Sequence, residues 1–258
     1  MTHTFARLVW AGALVATLAG CTAAGGEPPE LLVFAAASLA DALSEIEEEL
    51  ESSGEARVAI SYGASQMLAQ QIASGAPADL LISAGEFPVS FLQERGLVAS
   101  APVRVLTNEL VVVVRSNTGL QLTSLEDLAT AKVRRIAVAD GGLAPAGRYA
   151  RESLASLGLW DTIEPKLVIG PDVRATLAYV ESGSSDAALV YRTDAEASDK
   201  VEIMDIVPGD SYSPVIYPAV VLGASSHQSE AHVFLRFLVS SEAREIFRRF
   251  GFVPVESE

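Results

Sequence analysis

Apolar residues along this chain follow two alternating patterns. Short runs that are apolar at nearly every position occur at 31–37, 57–60, 79–83, 110–115, 135–139, 166–169, 186–190, 201–206 and 217–222. Their length and β-branched content predict strands. Between them, apolar residues return every three or four positions, as on one face of a helix. Leu39, Ala42, Leu43, Ile46 and Leu50 form one such face; Met67, Leu68 and Ile72 a second; Ala150, Leu154 and Leu157 a third; and Val173, Leu177 and Val180 a fourth. A last helical stretch over 230–250 carries Val233, Phe234, Phe237, Leu238, Ile246 and Phe247 and is expected to break near Ser240-Ser241. Strands that alternate with helices, several of them apolar throughout, predict an α/β fold whose parallel sheets are covered on both faces.

The junctions between these elements carry the candidate chemistry. The first turn of a helix leaves backbone N–H groups unpaired at the positive end of the macrodipole, so oxyanions bind there without a charged side chain. The first predicted strand runs onto Ser38, which is placed to cap the next helix with Asp41 three residues on. Ser65, after Tyr62-Gly63-Ala64, repeats the arrangement. The segment 141–147 contains Gly141, Gly142, Pro145 and Gly147, residues that let backbone approach a ligand and that start a helix. Asp172 precedes the helix that opens at Val173, and Tyr191 ends an apolar strand on a hydroxyl. Gly75, Gly158 and Gly183 are placed to close three of the helices.

The N-terminus reads separately. His3 and Arg7 precede an apolar stretch over 8–19 that is too short to span a bilayer and ends in small residues, which identifies 1–20 as a secretion signal. Its end, Leu18-Ala19-Gly20-Cys21, resembles the processing site of bacterial lipoproteins, in which the cysteine becomes the lipidated first residue. Residues 21–30, rich in Ala, Gly and Pro, suit a flexible tether. Cys21 is the single cysteine of the 258-residue chain, so no intrachain disulfide forms and stability must come from the core. Without Arg7 the balance is 17 basic against 33 acidic residues, a charge of −16. That balance disfavours nucleic acid as a partner and leaves local dipoles, rather than the long-range field, to attract any anion.

Catalytic signatures are missing. There is no G-x-S-x-G, the segment 141–147 lacks the Lys-Ser/Thr ending of a phosphate loop, and beyond the signal the only histidines, His227 and His232, lie five residues apart and do not share a helical face. A binding protein, not an enzyme, is expected, with no cofactor and no metal coordinated directly by side chains.

Specific segments narrow the class. Phe34-Ala35-Ala36-Ala37-Ser38-Leu39, Gly75-Ala76-Pro77-Ala78-Asp79-Leu80, Pro145-Ala146-Gly147, 158–161, Asp172-Val173-Arg174, Val190-Tyr191, Glu245-Ile246-Phe247 and Phe250-Gly251-Phe252 resemble, in order and spacing, the periplasmic molybdate-binding proteins of ABC transporters. The resemblance covers essentially the whole mature chain. It implies a two-domain periplasmic-binding-protein fold with a ligand cleft between domains joined by two crossing strands. Domain I would comprise 31–105 and 219–258, and domain II 106–218, with crossings at 106–110 and 215–218.

The resemblance also implies that molybdate or tungstate is held by the hydroxyls and amides of Ser38 and Ser65, the amides of Ala146 and Val173, and the Tyr191 hydroxyl. Neutral donors of this kind select against a protonated oxyanion, whose O–H would face other donors. Arg148, Arg174 and Arg192 each follow a site residue, but neighbours on a helix point about 100° apart, so these arginines are expected in salt bridges instead. The segment Gly63-Ala64-Ser65-Gln66 has fewer hydroxyls than the corresponding stretch of the family. A protein of this class would be exported, anchored by lipid on Cys21 at the outer face of the cytoplasmic membrane or in the periplasm, monomeric, and partnered by an ABC permease. The alternative solute is sulfate, thiosulfate or another small oxyanion.

Overall fold

The structure is a computed structural model that describes residues 29–53 and 57–256. The predicted signal, Cys21 and most of the tether lie outside the described residues. The chain first lays down β1 (Glu30–Ala36), α1 (Ala40–Ser53), β2 (Arg57–Gly63), α2 (Ser65–Ala73), β3 (Leu80–Ile82), α3 (Glu86–Gln93) and β4 (Val103–Asn108). After the single residue Glu109 it enters β5 (Leu110–Arg115), then β6 (Ile136–Ala139), α4 (Pro145–Ser156), α5 (Trp160–Ile163), β7 (Leu167–Gly170), α6 (Val173–Glu181), β8 (Ala187–Tyr191), α7 (Arg192–Glu196) and β9 (Val201–Ile206). It returns through β10 (Val215–Val221) to α8 (Gln228–Phe237), α9 (Ser241–Arg249) and β11 (Val253–Pro254).

Two sheets result, ordered β11-β4-β10-β3-β1-β2 and β7-β6-β8-β5-β9. Both are mixed, where the apolar runs alone predicted parallel sheets. The β1–β2, β1–β3, β6–β7 and β6–β8 pairs are parallel, as crossover helices require. The antiparallel pairs involve β4, β5, β9, β10 and β11, where the chain passes between sheets or returns to its end. Val215 pairs with Asn108, so the outward and return crossings run side by side.

The cores follow the sequence pattern. Every residue of β5 from Leu110 to Val114 is buried, and α1 turns Ala42, Leu43, Ile46 and Leu50 inward. Leu157 and Val233 depart from the expected faces and lie exposed, Leu157 at the end of its helix and Val233 on the outer side of α8. The break expected in the last helical stretch is present: Ser240 caps α9 by accepting the Ala243 N–H at 3.2 Å. Gly75, Gly158 and Gly183 adopt φ values of +94°, +70° and +74° just beyond α2, α4 and α6, the left-handed closures that glycine permits. Among the described residues no helix is long and apolar enough to cross a membrane.

Candidate functional site

Beyond the carboxyl ends of strands from both sheets, the N-terminal ends of α2, α4 and α6 and the turn before α1 converge on one small cavity. Its walls are 36–38, 63–65, Ala84, 144–146, 172–173 and Tyr191. All five residues named from the sequence therefore meet, although they are spread over more than 150 positions. The cavity volume is about 10 Å³. Organic ligands occupy pockets of roughly 300–1,000 Å³, so this one has the scale of a single small ion.

Each wall has a distinct origin. Ala36 ends β1, and a short 3-10 turn, Ala37–Leu39, carries Ser38. The capping role expected for Ser38 is not what the structure has: α1 begins two residues later, and the buried Ser38 Oγ lies 2.9 Å from the Tyr217 hydroxyl. Ser65 is the first residue of α2 rather than its cap, a position held by Ala64, and Ser65 Oγ accepts the Ala84 N–H at 3.0 Å. Pro145 occupies the first position of α4 and has no N–H, so Ala146 presents the first amide of that helix. Asp172 caps α6 as expected, accepting the Ala175 N–H at 2.9 Å, and Val173 follows as the first helical residue. Tyr191 ends β8 and donates to the Ala84 carbonyl at 3.4 Å. Burial holds the Tyr191 hydroxyl well above the ordinary tyrosine range, so it is protonated and can donate.

The electrostatics are those of neutral dipoles. Asp172 is the one charged residue among the described residues lining the cavity, and its carboxylate is engaged in the cap. Arg148 pairs with Glu152 at 3.1 Å and lies over the Phe87 ring; Arg192 pairs with Glu109 and Glu196. Arg174 reaches Asp41 and Asp194, each at 2.6 Å. None of the three lines the cavity. A larger depression of about 610 Å³ lies on the other side of Ser38, lined among others by Asp41, Arg174, Glu196, Arg248 and Arg249. Its mixed charges suit solvent, and Ser65, Ala146, Val173 and Tyr191 do not reach it.

Direct contacts hold the two sides together around the cavity. The Gln66 N–H, in the first turn of α2, donates to the Leu143 carbonyl at 2.9 Å. Gly85 sits so close to Pro145 and the Tyr149 hydroxyl that an added Cβ would lie 3.0 Å from both. Three residues of this region escaped sequence reasoning: Ala84, whose N–H and carbonyl meet Ser65 and Tyr191, and Asn108 and Tyr217, which stand behind Ser38. Asn108 ends a strand that the hydropathy pattern did not reveal, and Tyr217 read as an ordinary strand aromatic.

Similarity to known proteins follows the same outline. The sequence profile of the bacterial extracellular solute-binding proteins matches residues 31–253. The chain is 40% identical over 224 residues to the putative ABC transporter substrate-binding lipoprotein YvgL of Bacillus subtilis, covering 86% of this chain and 85% of that protein. It is 36% identical to the molybdate-binding protein ModA of Escherichia coli, covering 86% and 88% respectively. Among solved structures, the substrate-binding domain of a putative molybdenum ABC transporter from Clostridium difficile superposes with a TM-score of 0.68 at 38% identity, over 88% of this chain and 99% of that one.

Proposed function

Because the chain belongs to the family of bacterial extracellular solute-binding proteins, its interdomain cavity is read as a solute site, and we propose that the solute is molybdate, with tungstate as a near-equal. The observation that carries this reading is one small cavity of about 10 Å³ into which three helix N-termini and three hydroxyl residues converge with no Lys or Arg among its lining. Ser38 and Ser65 donate through hydroxyl and amide, Ala146 and Val173 through their amides, and Tyr191 through its hydroxyl once the solute replaces the long 3.4 Å contact to the Ala84 carbonyl. Domain I comprises 31–105 and 219–258, and domain II comprises 106–218. Each contributes donors, so only an oxyanion of the right radius satisfies both walls. The chain's similarity to a molybdate-binding protein and to the substrate-binding domain of a putative molybdenum ABC transporter supports the same solute and the delivery of the bound ion to an ABC permease. Anchoring through lipid on Cys21, outside the cytoplasmic membrane, keeps the protein near that permease. Its work is binding and release, without catalysis, a cofactor or nucleic acid.

Calorimetry with molybdate, tungstate, sulfate and phosphate tests the proposal. Molybdate and tungstate are expected to bind with similar affinity, sulfate far more weakly and phosphate not measurably. Sulfate binding as tight as molybdate would overturn the choice of solute. A ligand at 100 times its Kd also stabilises the native state by about 2.7 kcal/mol, which thermal denaturation detects.

A further inference from the structure

We propose that Asn108 and Tyr217 are positioning residues that turn the Ser38 hydroxyl proton into the cavity. The inference rests on Ser38 being a ligand donor, as proposed above. The direction of each hydrogen bond follows from the one before it. The Glu109 backbone N–H, which can only donate, meets Asn108 Oδ1 at 2.9 Å and so fixes the amide's orientation. Asn108 Nδ2 must then face Thr193 Oγ1 at 2.9 Å and the Tyr217 hydroxyl at 3.2 Å, donating to both. Tyr217 is wholly buried, and burial keeps its hydroxyl protonated. With its oxygen already accepting from Asn108, its single proton goes to Ser38 Oγ, 2.9 Å away. The opposite direction would leave a buried phenolic proton without an acceptor. Ser38 Oγ thereby accepts from Tyr217, and its own proton is free for the cavity that it lines.

Ser65 is built the same way from different parts, because the Ala84 N–H occupies its oxygen. At both serines a bound oxyanion finds an O–H whose oxygen already accepts one hydrogen bond from the protein, which leaves its proton to the cavity. Asn108 and Tyr217 lie on β4 and β10, the two adjacent crossings between the sheets. The donor direction at Ser38 is therefore set by the segments about which the two domains would move.

The test is a double-mutant cycle on the purified chain with Ser38→Ala and Tyr217→Phe, read by calorimetry with molybdate at about pH 8, where molybdate carries no proton. Phe keeps the ring contacts of Tyr217 with Tyr191 and Phe252. Tyr217→Phe is expected to weaken molybdate binding at least about tenfold when Ser38 is present and less than about twofold in the Ser38→Ala background. Equal losses in both backgrounds, or no loss with Ser38 present, would overturn the inference. If Ser38→Ala weakens binding and Tyr217→Phe does not, the inference falls and the proposed site stands; if Ser38→Ala has no effect, Ser38 is no ligand donor and both fall. Should Tyr217→Phe fail to fold, Asn108→Ala enters the same cycle with the same expected coupling.

Discussion

Gly147 shows most directly how one residue controls the site. It is the third residue of α4, directly after Ala146, and it packs so closely on the end of β6 that an added Cβ would overlap the Ala139 carbonyl. A methyl group there must push the start of α4 away from the sheet and carry the Ala146 amide with it. Gly147→Ala is expected to cost about 1–3 kcal/mol of stability by overpacking and to weaken oxyanion binding at least about tenfold. Thermal denaturation and calorimetry check the two parts separately, and a variant with native affinity would disconnect α4 from the site. The glycine-rich segment between a strand and a helix signalled close backbone approach, but it pointed that approach at a ligand, whereas Gly147 meets the end of β6 and Gly141, Gly142 and Gly147 do not line the cavity. The role of Ser38 was less legible. Its local context reads as a helix cap, while its actual partner, Tyr217, is 179 residues away, and no local pattern encodes a contact at that separation.

Secondary-structure elements position the donors through their ends, and α6 gives the clearest case. Asp172 fixes the start of the helix by capping the Ala175 N–H, and its own carbonyl accepts the Thr176 N–H at 3.0 Å and the Thr176 hydroxyl at 2.7 Å. Losing an N-cap side chain costs about 1 kcal/mol, which lowers the melting temperature of a domain of this size by roughly 2–4 °C. Asp172→Ala should show that drop and Asp172→Asn should not, since Asn caps as well as Asp; equal melting temperatures for Asp172→Ala and the parent would refute the cap's contribution. The buried strands and the amphipathic helices were legible because burial imposes a period on apolar residues. Strand β4 escaped the hydropathy pattern, and only the family resemblance pointed to a crossing at 106–110, because only Val105 and Leu106 are buried while Arg104 is exposed and Thr107 and Asn108 are partly so. The mixed direction of the sheets was hidden for a related reason. An apolar run fixes burial but not the sense in which the chain enters the sheet.

Across the whole molecule, Arg174 joins the two sides of the cleft through charges that stay outside the ion cavity. It extends from α6 to Asp41 on α1 and to Asp194 on α7. Asp194 is fully buried, and desolvation lifts its carboxyl to about 7 against the pull of Arg174. Asp41 and Asp172 add repulsion that also favours the protonated form. An unfolded Asp releases its proton near pH 4, so between about pH 4 and pH 7 the native state holds a proton that the unfolded chain does not. Within that window the Asp194 contribution makes stability fall as pH rises, and above about pH 7 the full penalty of a buried carboxylate, on the order of 4 kcal/mol, is present. Asp194→Asn keeps the shape and mimics the protonated form at every pH. Its stability relative to the parent should therefore increase steadily from about pH 4 to about pH 7 and then level off, whatever the other carboxylates contribute, since they titrate alike in both proteins. Thermal unfolding of the pair across that range measures the difference. A gap that stays constant, or that moves in favour of the parent as pH rises, would mean that Arg174 holds Asp194 ionised and that the bridge across the cleft is a full salt bridge at every pH at which the protein is folded.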